Sequence, residues 1–291
     1  MSTHVENLAL PLSSIVIGSE EHKELFCRTF METHDPFEVA QIAWPELDEA
    51  AVQRLRSMPF WQEAISTEAD VARKVQALAP LEPDAQLRDA IALNGYEEGR
   101  HSAMLDHMLA HYGIERPPVR EEPRSNDPLW DFMRVGYGEC FDSFFAFGLY
   151  RLAGESGLFP LALLKAVEPI MREEARHILF FVNWIAYCRA HEPPLGKLLH
   201  MGRCSLALWL QVWARAKTAI SAARGGGDGG ASQEDDFMLG VKDSLDVVSS
   251  PRQFLQVCLR ENDARLSAYD PRLLRPTFVP GIARALARIV P

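Results

Sequence analysis

Two stretches constrain this chain more than any others: Tyr96-Glu97-Glu98-Gly99-Arg100-His101 and Arg172-Glu173-Glu174-Ala175-Arg176-His177. Both read Glu-Glu-small-Arg-His, and both lie in long runs whose apolar residues recur with helical spacing. Within each, a glutamate precedes a histidine by three residues, Glu98 before His101 and Glu174 before His177. On an α-helix three residues rise about 4.5 Å and share a face, so each pair can grip one ion. A lone Glu-x-x-His carries little information, but here the surrounding pattern repeats as well. The flanks are apolar, with Ala92, Leu105, Met108 and Leu109 around the first pair and Ile170, Phe181 and Trp184 around the second. Carboxylates buried in such surroundings without a counter-charge cost several kcal/mol each, on the order expected for unpaired ions, and a bound cation resolves that cost.

Two pairs supply too few ligands for two metal ions. A four-helix bundle completes the set with one glutamate from each of the other two helices. Glu63 lies 35 residues before Glu98, and Glu139 lies 35 before Glu174. If each pair of helices forms an antiparallel hairpin, residues at equal height are equidistant from the loop. Ala79 to Asp84 breaks the first pair and Gly154 to Gly157 the second, and the chosen glutamates straddle these breaks nearly symmetrically. Glu68 competes with Glu63 but on this reckoning falls more than a turn from the plane of Glu98. The expected ligands are therefore Glu63, Glu98, His101, Glu139, Glu174 and His177. Four carboxylates and two imidazoles suit iron or manganese better than zinc.

The six expected ligands resemble the dinuclear-iron site of the ferritin-like superfamily of carboxylate-bridged di-iron proteins. The Glu-Glu-x-Arg-His wording is especially similar to soluble acyl-carrier-protein desaturases and related oxygenases, and the match spans roughly residues 50 to 190. The resemblance implies an all-α fold, a ferritin-like four-helix bundle, holding two Fe ions with O2 as co-substrate; a mixed manganese–iron pair stays open. It implies an oxidase or oxygenase that hydroxylates, desaturates, N-oxidises or cleaves a small organic substrate. A ferroxidase or iron-handling protein is the alternative. No flavin or nicotinamide fingerprint appears, so turnover would draw electrons from a ferredoxin or reductase.

Metal-bound imidazoles usually give their other N–H to a carboxylate. Asp142, one turn beyond Glu139, is a candidate for that role, and Arg100 and Arg176 would balance Glu97 and Glu173. On the third bundle helix Gly136, Ser143 and Ala146 are small, which suggests space beside the metals, walled by Phe144 and Phe147. Ser143 resembles the hydroxyl residue that di-iron oxygenases place beside the O2 site, and is assigned proton delivery. His107 and His111, near a helix end, read as surface residues.

In order, residues 1–47 read as an arm with short capping helices, one from Ser19 to about Thr33 and one from Asp35-Pro36 to about Trp44. Residues 48–192 form the bundle, with helices over about 48–79 (kinked or divided at Pro59), 84–112, 128–153 and 160–191. A long crossover rich in proline and charge joins the two hairpins. Residues 193–291 add a helix over about 195–223, apolar enough to pack on the bundle or a partner subunit, then a Gly-rich loop at 224–230. Three shorter helices follow, over about 235–248, 252–267 and 280–290.

Composition narrows the class. The formal charge of −10 offers no field for nucleic acid or an anionic membrane. No run spans a bilayer, and the first thirty residues lack a secretory pattern. Five scattered cysteines suit reduced thiols, and a cytoplasmic location is expected. A homodimer is compatible with the apolar fifth long helix.

Overall fold

The computed structural model describes residues 14–58, 61–116, 118, 125–223 and 250–290. Among them the fold is all-α, with no strand. The helices are α1 (Glu20–Glu32), α2 (Glu49–Ser57), α3 (Trp61–Leu78), α4 (Ala85–His111), α5 (Pro128–Ser156), α6 (Leu161–His191), α7 (Pro194–Ala223), α8 (Pro251–Ser267) and α9 (Phe278–Leu286). The helix expected over 235–248, the Gly-rich loop and residues 1–13 lie outside the described residues.

Local chemistry sets the helix ends. Ser19 Oγ accepts from the His22 amide at 3.2 Å, and Asp84 Oδ1 accepts from Gln86 and Leu87, satisfying first-turn donors that have no intrahelical partner. Asp127 caps α5 in the same way through the Trp130 amide, with Pro128 at the first helical position. That helix stops at Gly157, whose φ of 66° is left-handed and favours glycine. The long first bundle helix expected from Asp48 is divided in two. Met58, which precedes Pro59, is extended (ψ 122°), as the proline ring demands of its neighbour. Between α1 and α2 only a short 3₁₀ turn, Val39–Gln41, stands where a helix was expected.

Helices α3 and α4 form one antiparallel hairpin, α5 and α6 the other; α3 also packs on α5, and α4 on α6. The four rods thus enclose a common interior. Helix α1 covers α4 and α6, α7 crosses α5 and α6, and α8 with α9 closes over α5. Phe30, Phe144, Phe147, Phe180 and Trp184 are fully buried in a core that reaches all of these elements. The interior therefore carries a large apolar content around a few charged groups, and those groups define the site. No helix among the described residues is long and apolar enough to cross a membrane.

Candidate metal centre

Glu98 and His101 on α4 face Glu174 and His177 on α6. Each of the four offers a ligand atom within 4.8 Å of the others, and all four residues are buried. The rings of His101 and His177 lie 5.5 Å apart. His177 Nδ1 stands 2.7 Å from Glu98 Oε1, while His101 Nδ1 stands 3.3 Å from Glu174 Oε1 and 3.6 Å from Glu98 Oε2. None of these approaches has hydrogen-bond geometry: both Nδ1 atoms and Glu98 Oε1 are buried without a hydrogen-bond partner. Such orphaned atoms are rare in protein interiors and here they converge on one point.

The opposite ring nitrogens are fully engaged, in a crossed arrangement. His177 Nε2 meets Glu97 Oε2 at 2.9 Å, and His101 Nε2 meets Glu173 Oε2 at 2.9 Å. Each helix thus supplies the carboxylate that holds the other helix's histidine. Arg176 donates to Glu97 at 2.9 Å, Arg100 donates to Glu173, and His34 Nδ1 lies 2.5 Å from Glu97 Oε1. Carboxylates that accept the Nε2–H fix the tautomer and leave the Nδ1 lone pair directed inward, as a metal-binding imidazole requires. The duplicated Glu-Glu-x-Arg-His motif therefore has a division of labour. The second glutamate and the histidine face the interior cluster; the first glutamate and the arginine buttress it.

The geometry separates Glu63 from Glu68. Glu68 Oε2 lies 3.4 Å from His101 Nδ1. Glu63, one and a half turns earlier, has its carboxylate against Thr67, which donates to it at 3.3 Å. The hairpin register explains the difference. Gly95 packs against Val75 and Gln76, and Gly99 against Ala72, so the midpoint of the hairpin lies near residue 85, not in the middle of the loop. On that register Glu63 is level with Met108, roughly 15 Å along the axis from Glu98 at 1.5 Å per residue. Loop symmetry pointed to Glu63, whereas the helix register brings Glu68 to His101.

Glu139 is half-buried, its Oε1 is shielded from solvent without a hydrogen-bond partner, and the charges of Glu98, Glu174, His177 and Glu68 all act on its carboxyl. The α5–α6 register nevertheless sets a different residue level with Glu174: Gly154 packs on Leu164 and Gly136 on Phe181, and Ser143 Oγ donates to Glu174 Oε2 at 2.7 Å. Four carboxyl groups and two imidazoles consequently share one interior.

Electrostatics follow from that crowding. Burial pushes Glu68 up to about 8, a shift that the 22% exposure of its side chain moderates. Burial, then the charges of Glu98 and Glu174, holds the Glu139 carboxyl well above the usual carboxylate range. Glu97 goes the other way. Burial opposes its ionisation, but His177, Arg176 and His34 together bring it down to about 2. Burial likewise opposes the ionised form of Glu98 and is outweighed by His177 and His101, so its carboxyl lies well below the ordinary range. Both histidines are raised: burial disfavours their charge, and the surrounding carboxylates overcome it.

Three expectations about the surroundings need correction. Asp142 is exposed and pairs with Arg215 on α7, which draws its carboxylate away from the cluster. Gly136 does not open a space. The Phe181 ring lies over it so closely that a β-carbon there would collide with the ring, and Phe132 meets that ring edge-on while Trp184 stacks on it. Phe144 and Phe147 are fully buried packing residues, the latter covered by the Arg265 guanidinium, and Ala146 is partly exposed. His107 accepts a hydrogen bond from Trp44 Nε1 at 2.8 Å. The five cysteines are free thiols, Cys27, Cys140 and Cys258 buried and Cys188 and Cys204 partly so. Sequence reasoning missed His34. Nothing near it in the chain signals a role, since its partner Glu97 lies 63 residues away.

A substitution contrast tests the placement of the glutamates. Glu68→Ala is expected to halve the Fe(II) stoichiometry or weaken binding by about tenfold to a hundredfold, the scale of ligand-shell losses, whereas Glu63→Ala is expected to leave it unchanged. Anaerobic equilibrium dialysis of both variants reads the difference. Equal losses, or a loss in Glu63→Ala alone, would restore Glu63 to the centre.

A scan against protein-family models finds no match to the chain, and no curated protein matches it. The buried cluster of Glu98, His101, Glu174 and His177, compatible with a di-iron site, is what the molecule itself offers toward function.

Proposed function

We propose that this chain is an O2-dependent, non-haem di-iron oxidase or oxygenase of the ferritin-like kind, acting on a small organic substrate. One observation carries the reading: two buried imidazoles with unpartnered Nδ1 atoms face each other across Glu98 and Glu174, while crossed carboxylates hold both Nε2 atoms. An interior of that kind is costly unless cations complete it.

Glu98, His101, Glu174 and His177 would hold the pair, with Glu68 and Glu139 as the outer carboxylates. The formal balance suits two divalent ions, since four carboxylates and two neutral imidazoles leave no net charge. The hard oxygen-rich set favours iron or manganese over zinc, and iron is the metal that joins this set to O2 chemistry. When bound, two Fe(II) ions side by side supply two electrons to one O2 molecule.

The protein's own residues perform the rest. Glu97 and Glu173 orient the imidazoles, and Arg176 and Arg100 hold those two carboxylates in place by donating to them. Phe181, packed over Gly136, excludes water from that part of α5, and Ser143 is itself buried. Ser143 holds a proton on Oγ at hydrogen-bond distance from Glu174 Oε2, where it can pass to or from a carboxylate that changes its load. Electrons for turnover would come from an external ferredoxin or reductase, and the working compartment would be the cytoplasm.

The iron-handling alternative also has an observation in its favour. Phe181 fills the space over Gly136 where a substrate chamber was expected, and iron with O2 needs less room than an organic substrate. Aerobic Fe(II) titration separates the two. The oxygenase reading expects oxidation to stop at about two iron ions per chain and further O2 uptake to need reductant and substrate. Continued oxidation of tens of ions per chain into mineral would establish iron storage instead.

A further inference from the structure

Helix α7 leaves a long apolar face uncovered. Leu195, Leu198, Leu199, Leu206, Trp209 and Trp213 are between 50% and 69% exposed, and Met201 is 51% exposed beside them. Scattered exposed leucines are ordinary, but these are neither scattered nor irregular. Leu195, Leu199, Gly202, Leu206, Trp209 and Trp213 follow one another in steps of four, three, four, three and four residues. That is the 3.5-residue period of a helix that pairs with another helix, sustained over five turns. The inward face of α7 meanwhile packs on α5 and α6 through residues such as Ala207, so the helix is fixed in place with the stripe outward.

We infer that this face is a homodimer interface, in which α7 of one copy lies antiparallel to α7 of a second copy about a two-fold axis near residue 204. Shape argues for this occupant. In the antiparallel register Leu206 meets the partner's Gly202, Leu199 meets the partner's Trp209, and Leu195 meets the partner's Trp213. Each large side chain thus meets a smaller one, and Gly202, whose β-carbon position has no atom within 4 Å, receives Leu206. A parallel pair would set glycine against glycine and tryptophan against tryptophan. Charge agrees. Arg203 and Arg215 are tied to Asp127 and Asp142 of their own chain, so neither places an unpaired charge on the stripe.

Size agrees as well. The exposed leucines, methionine and two stacked tryptophans, ring centroids 5.8 Å apart, present on the order of 800 Å² per copy, half of a standard-size interface. An isologous contact of this type closes on itself and gives a dimer, not a filament. A lipid surface is the rival occupant. It suits the tryptophans but explains neither the strict 3.5-residue period nor the gap at Gly202, and the chain's formal charge of −10 opposes binding to anionic lipid.

Light scattering coupled to gel filtration, on the full chain, tests the inference. The wild type is expected at about twice the 32.7 kDa chain mass. Leu206→Glu is expected to weaken dimerisation by about a hundredfold, as for a central hot-spot residue. Gly202→Gln serves as the second variant, because the substitution improves helix propensity in an open position and so leaves the monomer intact while blocking the partner's Leu206. Circular dichroism and melting of the monomers verify their fold. Mixed disulfides between a Leu195→Cys chain and a Trp213→Cys chain are expected only for the antiparallel pair. A wild-type monomer, whether or not it co-sediments with neutral or anionic vesicles, would overturn the inference, as would a dimer that both variants leave unchanged.

Discussion

Glu97→Ala is expected to be among the most damaging single substitutions in this protein, although Glu97 is not one of the residues facing the metal. Its carboxylate is fully buried and accepts from Arg176 at 2.9 Å while meeting His177 Nε2 at 2.9 Å and His34 at 2.5 Å. Removing it leaves the Arg176 guanidinium, 3% exposed, with the Phe30 carbonyl as its one remaining hydrogen-bond acceptor and Glu173 no nearer than 4.0 Å. Stranding one partner of a buried ion pair costs about 3–5 kcal/mol. For a chain of this size that corresponds to a fall in Tm of roughly 10 °C. Glu97→Gln keeps the volume and one acceptor oxygen, so it is expected to retain more stability than alanine. Either variant frees the His177 ring to choose the other tautomer, and iron affinity is expected to drop by about tenfold to a hundredfold. Calorimetry and anaerobic metal titration read the two effects separately. An unchanged Tm in Glu97→Ala would show that the crossed carboxylates do not hold the site.

The second large effect is in pH. In the metal-free protein Glu68 keeps its proton up to about pH 8, whereas the unfolded chain releases it near 4.5. The folded state therefore binds more protons than the unfolded state across that window, and stability falls as pH rises. His101 and His177, both raised above 6.5, act in the same direction. Their contribution is complete below pH 6.5 and is lost as pH climbs through their folded-state values. Glu97 and Glu98 are lowered, so their contribution is present above pH 4.5 and lost only in acid; across pH 6–8 they add no slope. Metal-free protein is thus expected to melt at lower temperature at pH 8 than at pH 6.

Binding two ions displaces these protons, so affinity should rise steeply with pH, by roughly tenfold to a hundredfold per unit for one or two protons released per ion. The gap in Tm between iron-loaded and chelator-treated protein is accordingly expected to widen from pH 6 to pH 8, with proton release visible as a buffer-dependent binding enthalpy. A gap independent of pH would mean that these carboxylates and imidazoles are not the ligands.

How much of this was legible in the sequence depends on the range of the interaction involved. The pairs Glu98/His101 and Glu174/His177 are set by the α-helix alone, and a three-residue step puts them on one face before any tertiary contact is known. The helix ends were also local, written in Ser19, Asp84, Asp127 and Gly157. Register between helices is a different matter. It depends on how closely the helices approach at Gly95 and Gly99, and those contacts move the midpoint of the α3–α4 hairpin several residues from the loop centre. That shift is why Glu68 and not Glu63 reaches His101.

The same limit governs the residues that support the site. Glu97 and Glu173 could be expected to neighbour charges, but the crossing of each to the opposite helix's histidine is a property of the packed pair α4 and α6. Asp142 shows the converse. It carries the right chemistry, yet Arg215 on α7, 73 residues away in the chain, claims it at the surface. Apolar richness around Gly136 pointed to a chamber, whereas Phe181 from α6 occupies that volume.

The most direct test of the di-iron reading is Mössbauer spectroscopy of protein loaded anaerobically with ⁵⁷Fe(II) and then exposed to O2. The expected result is about two iron ions per chain in high-spin Fe(II) form, converting to a spin-coupled diferric pair that gives quadrupole doublets and no magnetic splitting at low temperature. Iron that stays below one ion per chain, or that oxidises to isolated, magnetically split Fe(III), would contradict a paired site at Glu98, His101, Glu174 and His177.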